Sequence, residues 1–342
     1  MATKVALALQ GGGSHGAYTW GVLDRLLETG RVDIEAISGA SAGAMNAVVL
    51  ANGYMRGGDD GAREALEDFW TAVSEKTNYG GIGATPSSTL AAPAAKAYLS
   101  MSRYFSPTQL NPLDVNPLRD IIAEQIDFDR LRSRSRIKLF ISTTRVRDGS
   151  LRMFTNADLT AEALLASACI PSIHRSVEID GEAYWDGGLT ANPPLSPLVY
   201  QCKARDVLVV VLDPSGSDEV PSTAEEILTR FTQVSFSSTL SSELQSIALA
   251  KAEADRARFA IGRVDRRLRG LRMHVIRSAG FMAELDPLTR FKTDTSFITT
   301  LRDEGRKRAD AWLAAHGARP LHRNGRQQGV FDASRESERA PG

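Results

Sequence analysis

Along the first fifty residues, apolar runs alternate with clusters of small residues. Lys4 to Gln10 is apolar enough for a buried parallel strand, and it breaks at Gly11-Gly12-Gly13-Ser14-His15-Gly16. After that break Val22, Leu23, Leu26 and Leu27 recur at helical spacing. A second apolar run, Ile34 to Ile37, feeds Ser38-Gly39-Ala40-Ser41-Ala42-Gly43 and then the helix-forming Ala44 to Val49. The pattern predicts strand, loop, helix, strand, tight turn, helix. Leu66, Phe69, Trp70 and Val73 place a further helix over Glu64 to Lys76, behind a polar turn at Gly57 to Gly61.

Periodicity then fades. From Thr77 to Asn116 the chain is rich in Gly, Ala, Ser and Pro, with Tyr79, Tyr98, Leu99, Met101, Tyr104 and Phe105 interleaved. A long segment of this kind inside a domain is commonly a lid, a binding loop or a connector, and its aromatic content favours a partly helical lid. Asn116-Pro117 reads as the cap and first turn of a helix through Ile126. Alternation resumes with strands at Ile137 to Thr144 and Ser150 to Phe154, a helix at Thr160 to Ser167, and a hairpin over Val177 to Tyr184 turning at Asp180-Gly181. Asp206 to Leu212 and Leu271 to Ile276 read as strands, Glu225 to Ile261 and Asp294 to His316 as helices. After Ala318 apolar residues thin out, and 318–342 is expected to be a disordered tail behind one domain over 1–317.

At 342 residues the chain is long enough to bury a substantial core and house an enzyme. Lys plus Arg and Asp plus Glu both number 41, so nothing in the charge balance suggests nucleic-acid binding. Cys169 and Cys202 form no metal-binding or disulfide pattern and read as packed thiols. The apolar run after Met1 reaches glycine too soon for a signal-peptide core, and no stretch is long enough to span a bilayer, so a cytoplasmic protein is expected. The sequence calls for neither metal nor cofactor.

Candidate chemistry centres on Ser41. In a G-x-S-x-G elbow the serine sits at the apex of a strand-to-helix turn, and Gly39, Ala40, Ala42 and Gly43 are small enough to permit one. That places its hydroxyl at the positive end of the next helix, as a nucleophile requires. The loop Gly11 to Gly16 presents several backbone N–H groups in one concavity, suited to a phosphate or to the oxyanion of acyl transfer. It also satisfies the G-x-G-x-x-G dinucleotide fingerprint. However, Asp33 and Glu35 lie at the start of the next strand, the wrong edge for a ribose, while the correct edge carries Ser41. Asp186 is the candidate acid, because Gly187 and Gly188 allow a sharp turn bringing its carboxylate near another strand.

The ordered set Gly11-Gly12-Gly13-Ser14-His15-Gly16, Gly39-Ala40-Ser41-Ala42-Gly43 and Asp186-Gly187-Gly188 resembles the patatin-like phospholipase family. The likeness extends through Ala168, Pro171, Ile179-Asp180-Gly181, Tyr184 and Asn192-Pro193, and covers roughly Val5 to Leu212. It implies a three-layer α/β/α sandwich with a mainly parallel central sheet. It further implies a Ser-Asp dyad, in which Ser41 attacks a lipid ester, Asp186 takes its proton, and N–H groups of Gly11, Gly12, Gly13 and Ser14 hold the oxyanion. One departure stands out: the family usually has Arg or Lys where this chain has His15.

Two other readings stay open. An α/β-hydrolase triad would draw its histidine from His274, His316 or His322, which follow Asp186. A non-catalytic protein would use Tyr98 to Phe105 to lie on a lipid or polymer surface.

Overall fold

The computed structural model describes residues 2–80, 101–102, 104–212, 220–257, 262–278 and 280–315, the side chains of 77–80 and 225 excepted. The expected tail and the middle of the expected lid lie outside these residues.

The first apolar run forms β1, Thr3–Leu9, and the second β2, Val32–Gly39. Further strands are β3, Lys138–Arg145; β4, Leu151–Thr155; β5, Val177–Ile179; β6, Glu182–Asp186; β7, Asp206–Val211; and β8, Arg272–Arg277. They build one sheet of order β5-β6-β3-β2-β1-β7-β8, with β4 also on β3. From β3 to β8 along this order the neighbours run parallel, and β4, β5 and β6 join antiparallel. The expected mainly parallel sheet is observed, with an antiparallel end.

Period-two alternation splits the core between the two faces. Val5, Leu7 and Leu9 of β1 face one core; Ala6 and Ala8 face the other. The first core is covered by α1, Gly16–Glu28, by α2, Ala42–Gly80, and by the last helix, Thr295–Ala315. The second is covered by the helices Ser196–Gln201, Ala224–Arg256 and Arg263–Gly270. This is the α/β/α sandwich.

Where α1 crosses the last helix their backbones touch. A Cβ on Gly21 would lie 1.9 Å from the Arg302 carbonyl oxygen, and one on Gly305 would lie 2.1 Å from that of Tyr18. The turn expected at Gly57 to Gly61 is narrower: only Gly57 and Gly58 leave helical geometry, and α2 resumes beyond them. It resumes because Ala62, Ala65, Leu66, Phe69 and Trp70 bury the stripe that continues on the far side.

Within the Thr77 to Asn116 segment the described part holds a one-turn helix α3, Pro107–Leu110, with Ser106 and Gln109 in a reciprocal capping box. Helices α4, Pro117–Gln125, α5, Phe128–Arg134, and α6, Ala161–Ser167, follow, capped by Asn116, Asp127 and Thr160. The hairpin between β5 and β6 turns at Asp180 and Gly181, both with positive φ, as the Asp-Gly pair requires.

Candidate active site

Strand pairing alone brings Ser41 and Asp186 together. A strand has two edges, and β4 occupies one edge of β3 from Phe140 to Thr144. On the other edge β2 pairs as far as Gly39 opposite Ile141, and β6 then takes over with Asp186 opposite Thr143. Asp186 therefore arrives just beyond the carboxyl end of β2, where the chain turns through Ser41. Ser142, between the two registers, sets its hydroxyl between two carbonyls, that of Ala191 at 3.0 Å and that of Gly39 at 3.3 Å, and its one proton is shared between them or given to the nearer, placing the elbow beside the Asp186 loop. Thr144 Oγ1 donates to the Asp186 carbonyl at 2.8 Å, and the Asp186 N–H donates to the Cys169 carbonyl at 2.8 Å.

Ser41 has φ 53°, a left-handed conformation a serine adopts only when its surroundings enforce it. Ser167 supplies that enforcement: its carbonyl and hydroxyl oxygens each accept from the Ser41 N–H at 3.0 Å. The small residues of the elbow are there for space. A Cβ on Gly43 would lie 2.1 Å from the Leu9 carbonyl oxygen, and one on Gly39 would lie 2.6 Å from the Gly43 backbone. Ser41 directly precedes α2, whose first-turn N–H groups favour negative charge beside it.

The Asp186 side chain is completely buried. Burial raises its pKa to about 7, against the opposing pull of the Gly188 N–H, which donates to Oδ1 at 2.7 Å, and of the Ser41 hydroxyl. Among the described residues Oδ2 accepts no hydrogen bond. The site thus pairs a serine in a strained elbow with a carboxyl whose proton affinity is matched to neutral pH. Gly187 and Gly188 are tightly walled: a Cβ on Gly187 would lie 2.0 Å from the Ser142 carbonyl oxygen, and one on Gly188 would lie 2.6 Å from the Phe236 ring.

The glycine loop presses on Ser41, since a Cβ on Gly11 would come within 2.8 Å of Ser41 Cβ. The Gly11 N–H is already committed, donating to Asn192 Oδ1 at 2.7 Å, while Asn192 Nδ2 donates to the Phe236 carbonyl at 2.9 Å. Among the described residues the N–H groups of Gly12, Gly13 and Ser14 have no acceptor. Gly16 opens α1 against Ala42, and its carbonyl accepts from Asn46 Nδ2 at 3.0 Å. The concavity therefore offers three N–H groups, with Gly11 serving as its anchor.

Other acids and histidines lie elsewhere. Asp33 pairs with Lys4 and Arg136, and Glu35 accepts from the N–H groups of Lys203 and Ala204. His274 Nε2 contacts Asp206 at 2.9 Å and its ring meets Trp312 edge-on. It sits on β8, three strands from β2, or about 14 Å at the usual strand spacing. His316 and His322 are outside the described residues. Cys169 and Cys202 are buried, and burial pushes their thiols up to about 12 and about 11. Among the described residues no group of three His, Cys, Asp or Glu could hold a metal ion, and no helix is long and apolar enough to cross a membrane.

Sequence reasoning did not reach Ser167, Ser142 or Thr144, which carry no motif. It named Asn192-Pro193 as part of the family resemblance and gave the amide no role, although an amide one residue before a proline and six after Asp186 was a visible signal.

Comparison with known proteins gives a family model, patatin-like phospholipase, that matches residues 7–199. No curated protein matches significantly. Among solved structures, VipD from Legionella pneumophila is 15% identical with a TM-score of 0.36, covering 90% of this chain and 66% of its own. ExoU in its heterodimeric complex with SpcU, from the type III secretion system of Pseudomonas aeruginosa, is 17% identical with a TM-score of 0.34, covering 92% and 51%. The chain thus spans less than two thirds of the length of either.

Proposed function

This chain belongs to the patatin-like phospholipase family, and from that premise we propose that it is a serine lipid acyl hydrolase working through Ser41 and Asp186. The observation that carries the reading is the buried Asp186 carboxyl, raised to about 7, facing a serine held at φ 53°.

The Ser41 hydroxyl attacks the ester carbonyl carbon while Asp186 accepts its proton. The carbonyl oxygen becomes an oxyanion held by the N–H groups of Gly12, Gly13 and Ser14. Collapse of the tetrahedral intermediate expels the alcohol, which takes the proton back from Asp186. Water then attacks the acyl-enzyme, again giving its proton to Asp186, and collapse of the second tetrahedral intermediate returns that proton to Ser41 Oγ as the free acid leaves. An ordinary carboxylate is a poor base for a hydroxyl; burial raises the affinity of this one by about three pKa units.

The substrate class follows from the family: a carboxylic ester of a lipid. Two groups of exposed apolar side chains suit contact with a lipid surface. Met101, Tyr104, Phe105, Leu113 and Val115 belong to the segment read as a lid. That segment is tied near the acid, since Arg175 donates to the carbonyls of Asn111 and Pro112, and the Arg175 carbonyl accepts from Cys169 Sγ. On the other flank, Ile227, Leu228, Phe231 and Val234 lie on one face of the helix that presents Phe236 to Gly188.

Ser41→Ala tests the reading. It should abolish ester hydrolysis, by several orders of magnitude, with little change in folding. Substantial hydrolysis by the purified, folded variant would overturn it.

A further inference from the structure

The glycine loop is fastened at both ends, and the second fastening comes from outside the residues the family model matches. Gly11 is held by Asn192, as described above. At the far end lies a 3-10 turn, Pro287–Phe291, whose cap Asp286 accepts from the Leu288 N–H at 2.8 Å. This turn lies directly on the loop: a Cβ on Gly13 would be 2.4 Å from the Arg290 carbonyl oxygen. Next to that contact, Thr289 Oγ1 stands 2.8 Å from His15 Nε2.

Thr289 has one hydroxyl proton, and Oγ1 also lies 2.6 Å from the Asp286 carbonyl oxygen, which can only accept. Both contacts are satisfied only if Thr289 donates to Asp286 and His15 donates from Nε2. His15 is therefore the Nε2-protonated tautomer, with its lone pair on Nδ1. The ring is buried and tilted against Phe297 at 6.3 Å between centroids. Burial, and then the charge of Arg290, lower its pKa to about 3, so it stays neutral at any pH where Asp186 can act.

His15 directly follows Ser14, whose N–H is one of the three available donors. An oxyanion hole works by holding donors where charge develops, and a displacement of about 1 Å can cost on the order of a hundredfold in rate. Building on the serine hydrolase reading, we propose that Thr289 is a positioning residue for this reaction, fixing His15 as the Nε2-protonated tautomer and thereby holding the N–H groups of Gly12, Gly13 and Ser14 in place for the oxyanion. It would do so without touching the substrate.

The test compares Thr289→Val, which keeps the shape and loses the acceptor, with Thr289→Ser, which keeps the hydroxyl. On a short soluble ester, Thr289→Val should lower kcat about tenfold with KM within twofold, and Thr289→Ser should recover most of it. Labelling of Ser41 by a fluorophosphonate should slow in Thr289→Val by the same factor, because the phosphonyl oxygen occupies the same hole. Independently of activity, nitrogen NMR of the wild-type protein should show His15 protonated at Nε2 only and not titrating between pH 5 and 9. Unchanged kcat in Thr289→Val, equal impairment in Thr289→Ser, a change confined to KM, or a His15 protonated at Nδ1 would each overturn the proposal. A wild-type protein that neither hydrolyses nor labels would bring down the hydrolase reading and this one with it. Normal labelling of the wild type with an unaffected Thr289→Val would remove only the positioning role.

Discussion

Replacing Asp186 by Asn separates the acid's electrostatics from its shape. The Asn side chain keeps an oxygen to accept from the Gly188 N–H, fills the same volume, and cannot ionise. In the wild-type protein the folded carboxyl has a pKa of about 7, above the 3.8 of an unperturbed group. Between those values the folded state holds a proton that the unfolded state has lost, so stability falls as pH rises. The stabilising effect of the raised pKa is complete below about pH 4 and gone above about pH 7. At about 1.4 kcal/mol per tenfold change in proton affinity, the rise from 3.8 to about 7 amounts to roughly 4 kcal/mol. Wild type and Asp186→Asn should therefore diverge by about 4 kcal/mol between pH 4 and pH 8, in favour of Asn, and run parallel above pH 8. Urea unfolding of both proteins at fixed pH measures the divergence, since only the difference matters and other titrating groups cancel. Turnover should show the same group from the other side, rising with pH to half its plateau near 7 in the wild type and lost by on the order of a thousandfold or more in Asp186→Asn. A difference in stability that stays constant across this range would mean that Asp186 titrates normally, and the account of its basicity would fail.

Asn192→Leu should destabilise the fold by about 2–6 kcal/mol, because it leaves the Gly11 N–H and the Phe236 carbonyl without partners, each costing about 1–3; chemical denaturation reads this directly. Tyr104→Ser with Phe105→Ser should impair long-chain esters more than short ones, since each buried substrate methylene contributes about 0.8 kcal/mol; equal losses across a chain-length series would count against a lid. His274→Gln should retain turnover, as its partner is Asp206 and not the dyad; inactivity matching Ser41→Ala would revive the triad alternative.

Much of the fold was legible because its signals are local. The apolar runs of β1, β2, β3 and β7 are buried on both faces and read as strands without knowledge of their neighbours. The elbow was legible for the same reason, since Gly39 and Gly43 are needed by backbone that lies next to them or one strand away. The hairpin of β5 and β6 was legible at its Asp180-Gly181 turn, but its docking on β3 was not, because the handover of the β3 edge from β2 to β6 depends on register, which no residue type announces. Nor was the commitment of the Gly11 N–H to Asn192, 181 positions on. The departure at His15 was visible in sequence, yet its meaning rests on Thr289, 274 positions away, in a turn whose residues look like any Asp-Pro surface turn. Sites assembled across such distances by single hydrogen bonds leave little trace in local pattern.

The central claim, that Ser41 is a nucleophile activated by Asp186, is tested most directly by a fluorophosphonate probe with intact mass and peptide mapping. The account predicts one adduct per chain on Ser41 at pH 8, none in Ser41→Ala, and labelling in Asp186→Asn slowed by orders of magnitude, while single Gln variants at His274, His316 and His322 label as the wild type does. A folded wild-type protein that takes up no probe, or takes it up on another residue, would contradict it.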